Sequence, residues 1–206
     1  MATTPGGRRV GRPRAVEREG RGTDPRGDLL TAAAELFTVK GYAATSTRAV
    51  AERAGMRQAT MYHYVSGKEE LLAELLESTV SPSLAYARAL LARTDEPPRD
   101  RLWELCRADV EVLCGGAYNL GGLYLLPEVR GERFAGFRES RDELKAAYRE
   151  LVAEATSLEG GGLNLRTDLV FGLIEGVILV RRSDPDRPVA EFARATADAA
   201  LRIAGV

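Results

Sequence analysis

The spacing of apolar residues is what most constrains the fold of this chain. From Leu29 through Ala33 to Leu36, and again from Leu72 to Leu76, apolar residues recur every three or four positions, as on one face of an α-helix. No segment alternates apolar and polar residues as a half-buried strand does. The chain has 206 residues, 45% of them hydrophobic, which is enough to bury a sizeable core. The sequence therefore predicts an all-α protein of about nine helices.

Three short helices are predicted near the start of the chain. The first has Asp24 as its N-cap, a proline at its first helical position, and its end at Gly41. The second is predicted over about 46–54 and the third over about 57–64, with Gly55 in the turn between them. Two short helices joined by a glycine turn form a helix-turn-helix, whose second helix enters the major groove of DNA.

A long fourth helix is predicted after this motif. The stretch SGKE at residues 66–69 matches a capping box, in which Ser66 and Glu69 bind each other's backbone amides. The sequence therefore divides into a three-helix unit over residues 24–70 and a larger helical unit over residues 71–206.

Residues 31–72, TAAAELFTVKGYAATSTRAVAERAGMRQATMYHYVSGKEELL, closely resemble the DNA-binding domain of the TetR family of transcriptional regulators. The matching residues are Ala33, Leu36, Phe37, Gly41, Tyr42, Thr45, Ser46, Ala51, Ala54, Gly55, Thr60, Tyr62, His63, Tyr64, Lys68 and Glu69. The departures are Met56, Arg57, Ala59 and Val65, where the family more often has Val, Ser, Gly and Phe. Arg57 stands where the family has a serine that caps the third helix. Two alternatives follow, that Arg57 makes an unusual DNA contact or that this helix has a weaker cap. The resemblance implies an N-terminal DNA-binding domain and a C-terminal domain for ligand binding and dimerisation.

The predicted third helix presents Gln58 and Tyr62 on the side opposite its apolar residues. Gln58 can bond an adenine edge, and Thr60 can meet a thymine methyl group or a phosphate. Tyrosine and lysine side chains nearby suit phosphate oxygens. The resemblance adds two positions at the front of the second helix, where an arginine can read guanine. The candidate residues for binding a double-stranded operator are Thr47, Arg48, Arg57, Gln58, Thr60, Tyr62, His63, Tyr64 and Lys68.

His63 is the only histidine of the chain. No second histidine is present to share a metal ion, and no serine, cysteine or carboxylate constellation surrounds this one. We therefore predict no catalytic residue, no metal site and no cofactor. The side chain of His63 either packs in the core or touches the operator backbone.

The charge of the chain is unevenly distributed. Residues 1–70 hold 12 Lys and Arg against 8 Asp and Glu, whereas residues 71–206 hold 17 against 22. A basic front joined to an acidic body indicates an anionic partner for the front only. Residues 1–23 are rich in Gly, Pro and Arg, and are predicted to form a disordered basic arm. Its GRPR stretch, residues 11–14, is similar to the minor-groove hook of architectural proteins, so the arm either reads the minor groove or adds only non-specific electrostatic affinity.

Cysteine usage and hydropathy predict a cytoplasmic protein. The chain has two cysteines, which suits a reducing compartment, and no apolar stretch follows its basic start as in a signal peptide. The longest apolar run, residues 169–180, is interrupted by Glu175 and is too short to span a bilayer. The 26 Arg against 3 Lys hint at a GC-rich bacterial genome.

A ligand pocket is predicted in the second unit from two charged residues at apolar helix positions. Helices are predicted over 98–114, 119–126, 132–158, 166–182 and 187–204. Asp109 falls on the apolar face of the first of these and Arg141 on that of the third, where an unpaired charge would be costly. Either the two form an internal ion pair or they face a cavity. The candidate ligand-binding residues are Trp103, Cys106, Asp109, Tyr124, Phe137, Arg141 and Tyr148.

The last two predicted helices are candidates for a homodimer interface. Residues 169–180 carry a single charge, so this helix should be buried from two directions. Glycines four residues apart would allow another helix to approach closely. The candidate interface residues are Gly172, Glu175, Gly176, Phe192, Ala199 and Ile203. A symmetric dimer implies a palindromic operator.

These observations predict a ligand-responsive, homodimeric DNA-binding regulator, most simply a repressor that a small molecule releases from its operator. An activator or a ligand-independent repressor of the same fold is the alternative, because nothing in the sequence sets the sign of regulation. An all-helical enzyme is a distant alternative, which the absence of a catalytic constellation or phosphate loop disfavours.

Overall fold

A computed structural model describes residues 24–206. This part of the chain is all-helical and without a strand, which confirms the predicted fold class. Its α-helices are α1 (Pro25–Leu36), α2 (Thr47–Arg53), α3 (Gln58–Met61), α4 (Lys68–Leu91), α5 (Pro98–Gly115), α6 (Ala135–Thr156), α7 (Gly160–Ser183) and α8 (Val189–Ala204). A π-helical turn, Phe37–Gly41, extends α1, and three 3₁₀ turns over Leu120–Leu125, Pro127–Arg130 and Glu132–Phe134 connect α5 to α6. The predicted basic arm lies outside the described residues.

The N-terminal part of the described chain, residues 24–67, is called the head below, and it packs with the first turns of α4 around a small core. Leu29, Phe37, Val50, Met61 and Leu71 are almost completely buried there. Each such side chain contributes roughly 1.5–3 kcal/mol by leaving water. Because these residues come from four helices, their packing sets the angle at which α2 and α3 stand against α1.

Helices α1 and α2 of the head begin at side-chain caps, and the predicted cap at Asp24 is confirmed. The Asp24 carboxylate accepts a hydrogen bond from the amide of Arg26 at 3.1 Å, and proline occupies the first helical position of α1. The Ser46 hydroxyl accepts from the amide of Ala49 at 3.1 Å at the start of α2. Arg57 is the N-cap of α3 without a side-chain cap bond, so this short helix lacks the stabilisation that a serine would supply.

The predicted capping box at the start of α4 is wrong in its acidic residue. Gly67 is the N-cap, and the amide and hydroxyl of Ser66 both donate to the carboxylate of Glu70, at 2.8 and 2.7 Å, rather than to Glu69. These bonds, together with one from Arg26 of α1, lower the pKa of Glu70 to about 2. The reason is tertiary, because Arg26 reaches Glu70 at 2.9 Å across the packed helices and holds that carboxylate in place.

The body, residues 68–206, is built around α5, which packs against α4, α6, α7 and α8. Arg101 is buried near the start of α5, where its guanidinium donates to the carbonyl oxygen of Leu90 at 3.3 Å and to Glu154 of α6 at 2.5 Å. A buried arginine needs such partners, since an unpaired charge there would be strongly destabilising. None of the helices in residues 24–206 combines the length and the hydropathy needed to cross a bilayer.

Two predicted helices of the body differ in detail from the structure. The helix expected over about 119–126 is a 3₁₀ helix over Leu120–Leu125, and it packs so tightly that a Cβ atom on Gly121 would lie 2.4 Å from Cγ2 of Ile178. Helix α7 starts at Gly160, earlier than the predicted 166, so the glycines expected in a loop form its first turn. Ser157, with φ of 57°, takes the left-handed conformation that ends α6.

Candidate nucleic-acid interface and effector groove

An outward-facing polar cluster joins α2 to α3 in the head. The side-chain amide of Gln58 donates to the hydroxyl of Thr47 at 2.9 Å and to the hydroxyl of Tyr62 at 3.4 Å. The Thr47 and Tyr62 hydroxyls also lie 3.4 Å apart. The Tyr62 side chain remains 51% exposed, and its bonds to Thr47 and Gln58 lower the pKa of the phenol. This cluster offers hydrogen-bonding groups to a partner while the neighbouring apolar residues face the core.

The other candidate DNA-binding residues surround the cluster on the surface. Arg48 is exposed and pairs with Glu52 one helical turn on, at 2.8 Å. The remaining exposed members are Arg57, Thr60, His63 and Tyr64. The exposure of His63 excludes the packed alternative for this residue, since its neighbours Met61 and Val65 fill the core on either side.

Lys68 has a structural role that the sequence did not reveal. Its ammonium group donates to the carbonyl oxygens of Tyr42 and Thr45, at 3.1 and 3.2 Å, and lies 4.3 Å from the centre of the Tyr42 ring. Burial raises the pKa of the Tyr42 phenol to about 12. Lys68 therefore ties the start of α4 to the loop before α2, and its predicted phosphate contact remains a prediction.

The body contains a buried polar group centred on Asp109. Its carboxylate accepts hydrogen bonds from Ser83 of α4 at 2.7 Å and from the Tyr148 hydroxyl of α6 at 3.0 Å. Burial raises the pKa of Asp109 to about 6, partly offset by these two bonds. The alternative of an internal Asp109–Arg141 pair is excluded, because the guanidinium of Arg141 forms a two-pronged ion pair with Glu175 of α7.

An open groove of about 600 Å³ lies beside this ion pair. It runs between the 3₁₀ segments and helices α6 and α7. Tyr124 forms one wall, with its ring 5.0 Å from that of Phe137 and its hydroxyl bonded to Thr79 of α4. Burial raises the pKa of the Tyr124 phenol. The lining residues are Tyr124, Leu125, Leu126, Pro127, Val129, Arg130, Phe137, Arg138, Arg141, Glu175, Gly176, Ile178 and Leu179.

The candidate ligand-binding residues separate into two sets. Tyr124, Phe137 and Arg141 line the groove. Asp109, Cys106 and Tyr148 lie in the solid core instead, and Trp103 faces α8, where its indole N–H donates to Asp198 at 2.7 Å. Cys106 and Cys114 are both buried thiols without a disulfide. Among the described residues, no three His, Cys, Asp or Glu side chains come together as a metal site would require.

A second connection between head and body runs outside α4. Glu35 of α1 accepts a hydrogen bond from the Tyr118 hydroxyl at 3.1 Å and another from Arg53 of α2 at 3.0 Å. Tyr118 precedes the 3₁₀ segment that carries Tyr124, so one short stretch of chain reaches both the head and the groove. No sequence signal points to this contact, because Glu35 and Tyr118 are far apart along the chain and belong to no motif.

Comparison with known proteins identifies the family. The sequence pattern that defines the bacterial regulatory proteins of the tetR family matches residues 29–75. The structure is similar to the crystal structure of Mycobacterium smegmatis AmtR, with a TM-score of 0.82 and 44% sequence identity, over 92% of this chain and 89% of that chain. The chain belongs to the TetR family. PfmR of Thermus thermophilus, titled a TetR family transcriptional regulator, superposes with a TM-score of 0.72 at 26% identity over 84% of this chain and 97% of that chain.

Two curated relatives of this TetR-family protein differ in the direction of their regulation. The transcriptional repressor KstR2 of Mycobacterium tuberculosis is 35% identical over 88 residues, which are 43% of this chain and 44% of KstR2. The transcriptional activator FasR of Mycolicibacterium smegmatis is 38% identical over 86 residues, 42% of this chain and 37% of FasR. The matched part is thus less than half the length of either curated relative.

The predicted dimer residues of this TetR-family protein lie on α7 and α8, and their contact with a second copy remains a prediction. Helix α7 is packed on one side only, and its other side is an apolar stripe in which Leu165, Leu169 and Leu179 are 59%, 49% and 54% exposed. Gly172 lies in this stripe with no atom near its hypothetical Cβ, whereas Glu175 and Gly176 line the groove. On α8, the remaining candidates, Phe192, Ala199 and Ile203, are partly buried.

Proposed function

We propose that this TetR-family protein is a homodimeric transcriptional repressor of the bacterial cytoplasm that a small molecule releases from a palindromic operator. The observation that carries the proposal is the outward-facing cluster of Thr47, Gln58 and Tyr62 on α2 and α3 of the helix-turn-helix. Side chains of these types bond base edges and phosphates, and the second helix of such a motif enters the major groove. The named relatives are transcriptional regulators, which agrees with this role.

Dimerisation is supported by the exposed stripe of α7. Leucines that remain about half exposed along one helix face form an apolar patch that a second copy of the chain would cover. A symmetric interface would place two heads on two half-sites. We expect Leu169→Glu to sediment as a monomer with weak operator binding, whereas Ala89→Glu, which introduces the same charge at an exposed position of α4, should remain dimeric.

Release from the operator would begin at the groove. A ligand lowers DNA affinity only if it prefers a body conformation in which the two heads no longer match the half-site spacing. The groove wall carrying Tyr124 contacts α4 through Thr79, and Tyr118 contacts the head through Glu35. A ligand that shifts this wall would therefore act on the head by two connections.

The deciding experiment is selection of DNA from a random pool by the purified protein, followed by affinity measurements on the selected site. We expect a palindromic consensus, and Gln58→Ala should relax it while Arg99→Ala, an exposed change at the start of α5, should leave it unchanged. Failure to select any sequence would contradict the proposal.

Activation of transcription is the second candidate, because FasR is named an activator. Transcription in vitro from a promoter carrying the selected site separates the two. A repressor lowers the transcript level as protein is added, and an activator raises it.

A further inference from the structure

The groove between the 3₁₀ segments, α6 and α7 is cationic although the body is acidic. Its lining contains Arg130, Arg138 and Arg141 against one acidic residue, Glu175. Residues 71–206 as a whole hold 17 Lys and Arg against 22 Asp and Glu. A local excess of arginine in an acidic domain attracts an anion to this place.

The three arginines differ in how far their charge is already compensated. Arg141 is committed to Glu175 and lies 5.1 Å from the ring of Phe171. Arg138 uses one nitrogen, Nη1, to donate to the carbonyl oxygens of Val129 and Gly131, at 2.8 and 2.7 Å, which orients the guanidinium without neutralising it.

Arg130 is the third groove arginine, and its charge is not compensated by the protein. The Arg130 side chain is exposed and makes no ion pair or hydrogen bond with any residue in 24–206. Guanidinium groups bind carboxylates with two parallel hydrogen bonds, so Arg130, supported by Arg138, can hold an acidic head group.

The rest of the groove is apolar. Leu125 is 60% exposed, and Leu126, Val129 and Ile178 continue the apolar surface as far as Leu179, where the groove meets the exposed stripe of α7. A volume of about 600 Å³ falls within the range of roughly 300–1,000 Å³ that small-molecule sites occupy. Such a surface gains free energy when an aliphatic or aryl body covers it.

We infer that the groove binds an anionic amphiphile, a carboxylate with an apolar chain or ring system, with its head group on Arg130 and Arg138 and its body against the leucines. The inference names the ligand class for the site of release proposed above and rests on that proposal only for its effect on DNA. Neutral or cationic molecules with the same apolar body would lack the arginine contacts.

The test uses decanoate, decan-1-ol and decylamine as probes with the same chain and different head groups. Calorimetric titration of the full-length protein at pH 7.5, below the micellar concentrations, should give a Kd for decanoate at least about tenfold lower than for decanol, with the amine weakest. Arg130→Gln should remove most of the decanoate preference and leave decanol binding unchanged. Arg99→Gln, an arginine outside the groove, should bind all three probes as the wild type does.

Two further variants locate the binding. Leu125→Ser should weaken decanoate and decanol equally, because both bury the same chain. Arg138→Gln should act like Arg130→Gln, but it also removes bonds to the Val129 and Gly131 carbonyls, so its melting temperature is measured alongside. Arg130→Gln removes no internal contact, so its result decides the matter even if the Arg138 variant is unstable.

Equal binding of decanol and decanoate, or full decanoate affinity in Arg130→Gln, would overturn the ligand class. Decanoate binding by monomeric Leu169→Glu but not by the wild type would overturn it too, because a second copy would then occupy the groove. The effect on DNA is read separately with the selected operator. If decanoate binds as described and the operator stays bound, the ligand class stands and the release mechanism proposed above fails.

Discussion

The head and the body use their polar side chains in opposite ways. In the head, Thr47, Gln58 and Tyr62 bond one another at the surface and remain open to a partner. In the body, Asp109 and Tyr148 bond each other in the core, out of reach of solvent. A polar residue on a helix therefore indicates a binding role only when its neighbours leave it exposed. Asp109 stands on an apolar helix face because it bonds Ser83 and Tyr148 within the core.

The two regions also differ in charge. The head and the start of α4, residues 24–70, hold six Lys and Arg and six Asp and Glu, so they carry no net charge. Several of these cations are already paired, as Arg48 is with Glu52 and Arg53 with Glu35. The excess of positive charge at the front of the chain therefore resides in residues 1–23, which contain six Arg and two Glu.

The largest effect is expected from the ionisation of Asp109. Its pKa rises from an ordinary 3.8 to about 6 in the folded protein. Between pH 3.8 and pH 6, the folded state therefore keeps a proton on Asp109 that the unfolded state has lost. The contribution of Asp109 to stability is therefore highest below pH 4, falls as the pH rises to about 6, and stays constant above. A shift of about two pKa units corresponds to roughly 3 kcal/mol.

Urea unfolding of the wild type and of Asp109→Asn from pH 4 to pH 8 checks this. The difference in unfolding free energy between the two should change in favour of the variant as the pH rises. Glu70, whose pKa is lowered to about 2, contributes in the opposite direction and is common to both proteins, so it cancels. Parallel curves would show that Asp109 is ionised in the core, and the contrast with the head would fail.

Removal of residues 1–23 should have the next largest effect. Losing a net charge of +4 from each protomer should weaken DNA binding by about 100-fold at low salt and flatten the dependence on salt concentration, because fewer counterions are released. The measurement is affinity for the selected operator and for random DNA over a range of salt. An equal loss on both indicates electrostatic help, whereas a loss confined to the operator would assign minor-groove reading to the arm.

Alanine substitutions at Gly121 and Gly122 should differ in their effect on stability, because only Gly121 lies against a packed neighbour. In Gly121→Ala the new Cβ would lie 2.4 Å from Cγ2 of Ile178, whereas in Gly122→Ala the nearest atom is the Asn119 side chain at 3.8 Å. We expect Gly121→Ala to lower the unfolding free energy by about 2 kcal/mol through overpacking, and Gly122→Ala to change it by less. Equal unfolding free energies of the two variants in chemical denaturation would mean that the 3₁₀ segment or Ile178 shifts to accommodate the new methyl group.

The smallest effect is expected from Tyr62→Phe. This change removes the hydroxyl that bonds Thr47 and Gln58, which should reduce operator affinity about fivefold, or about 1 kcal/mol. Tyr64→Phe is the matched control, because the Tyr64 hydroxyl has no partner within residues 24–206. Thermal stability should be unchanged in both. A loss of stability in place of affinity would make the cluster a structural feature of the head.

The helical class, the helix-turn-helix and the exposed candidates of the third helix could be predicted from the amino-acid sequence. They follow from spacings within a few residues, such as the cap at Asp24 and the i, i+4 relation of Gln58 and Tyr62. Local spacing is sufficient there because a short helix presents its side chains in an order set by its own geometry.

Which charged side chains pair could not be predicted in this way, because the partners are distant along the chain. Arg141 lies 34 residues from its partner Glu175, and Asp109 lies 39 residues from Tyr148. Glu175, predicted at the dimer interface, pairs within the groove, and Glu70 replaces Glu69 at the start of α4 because Arg26 of α1 holds it. A helical pattern tells which face of a helix is apolar, but the angle and register at which two faces pack depend on every side chain between them. For this reason the partner of a buried charge is set only when the helices have docked.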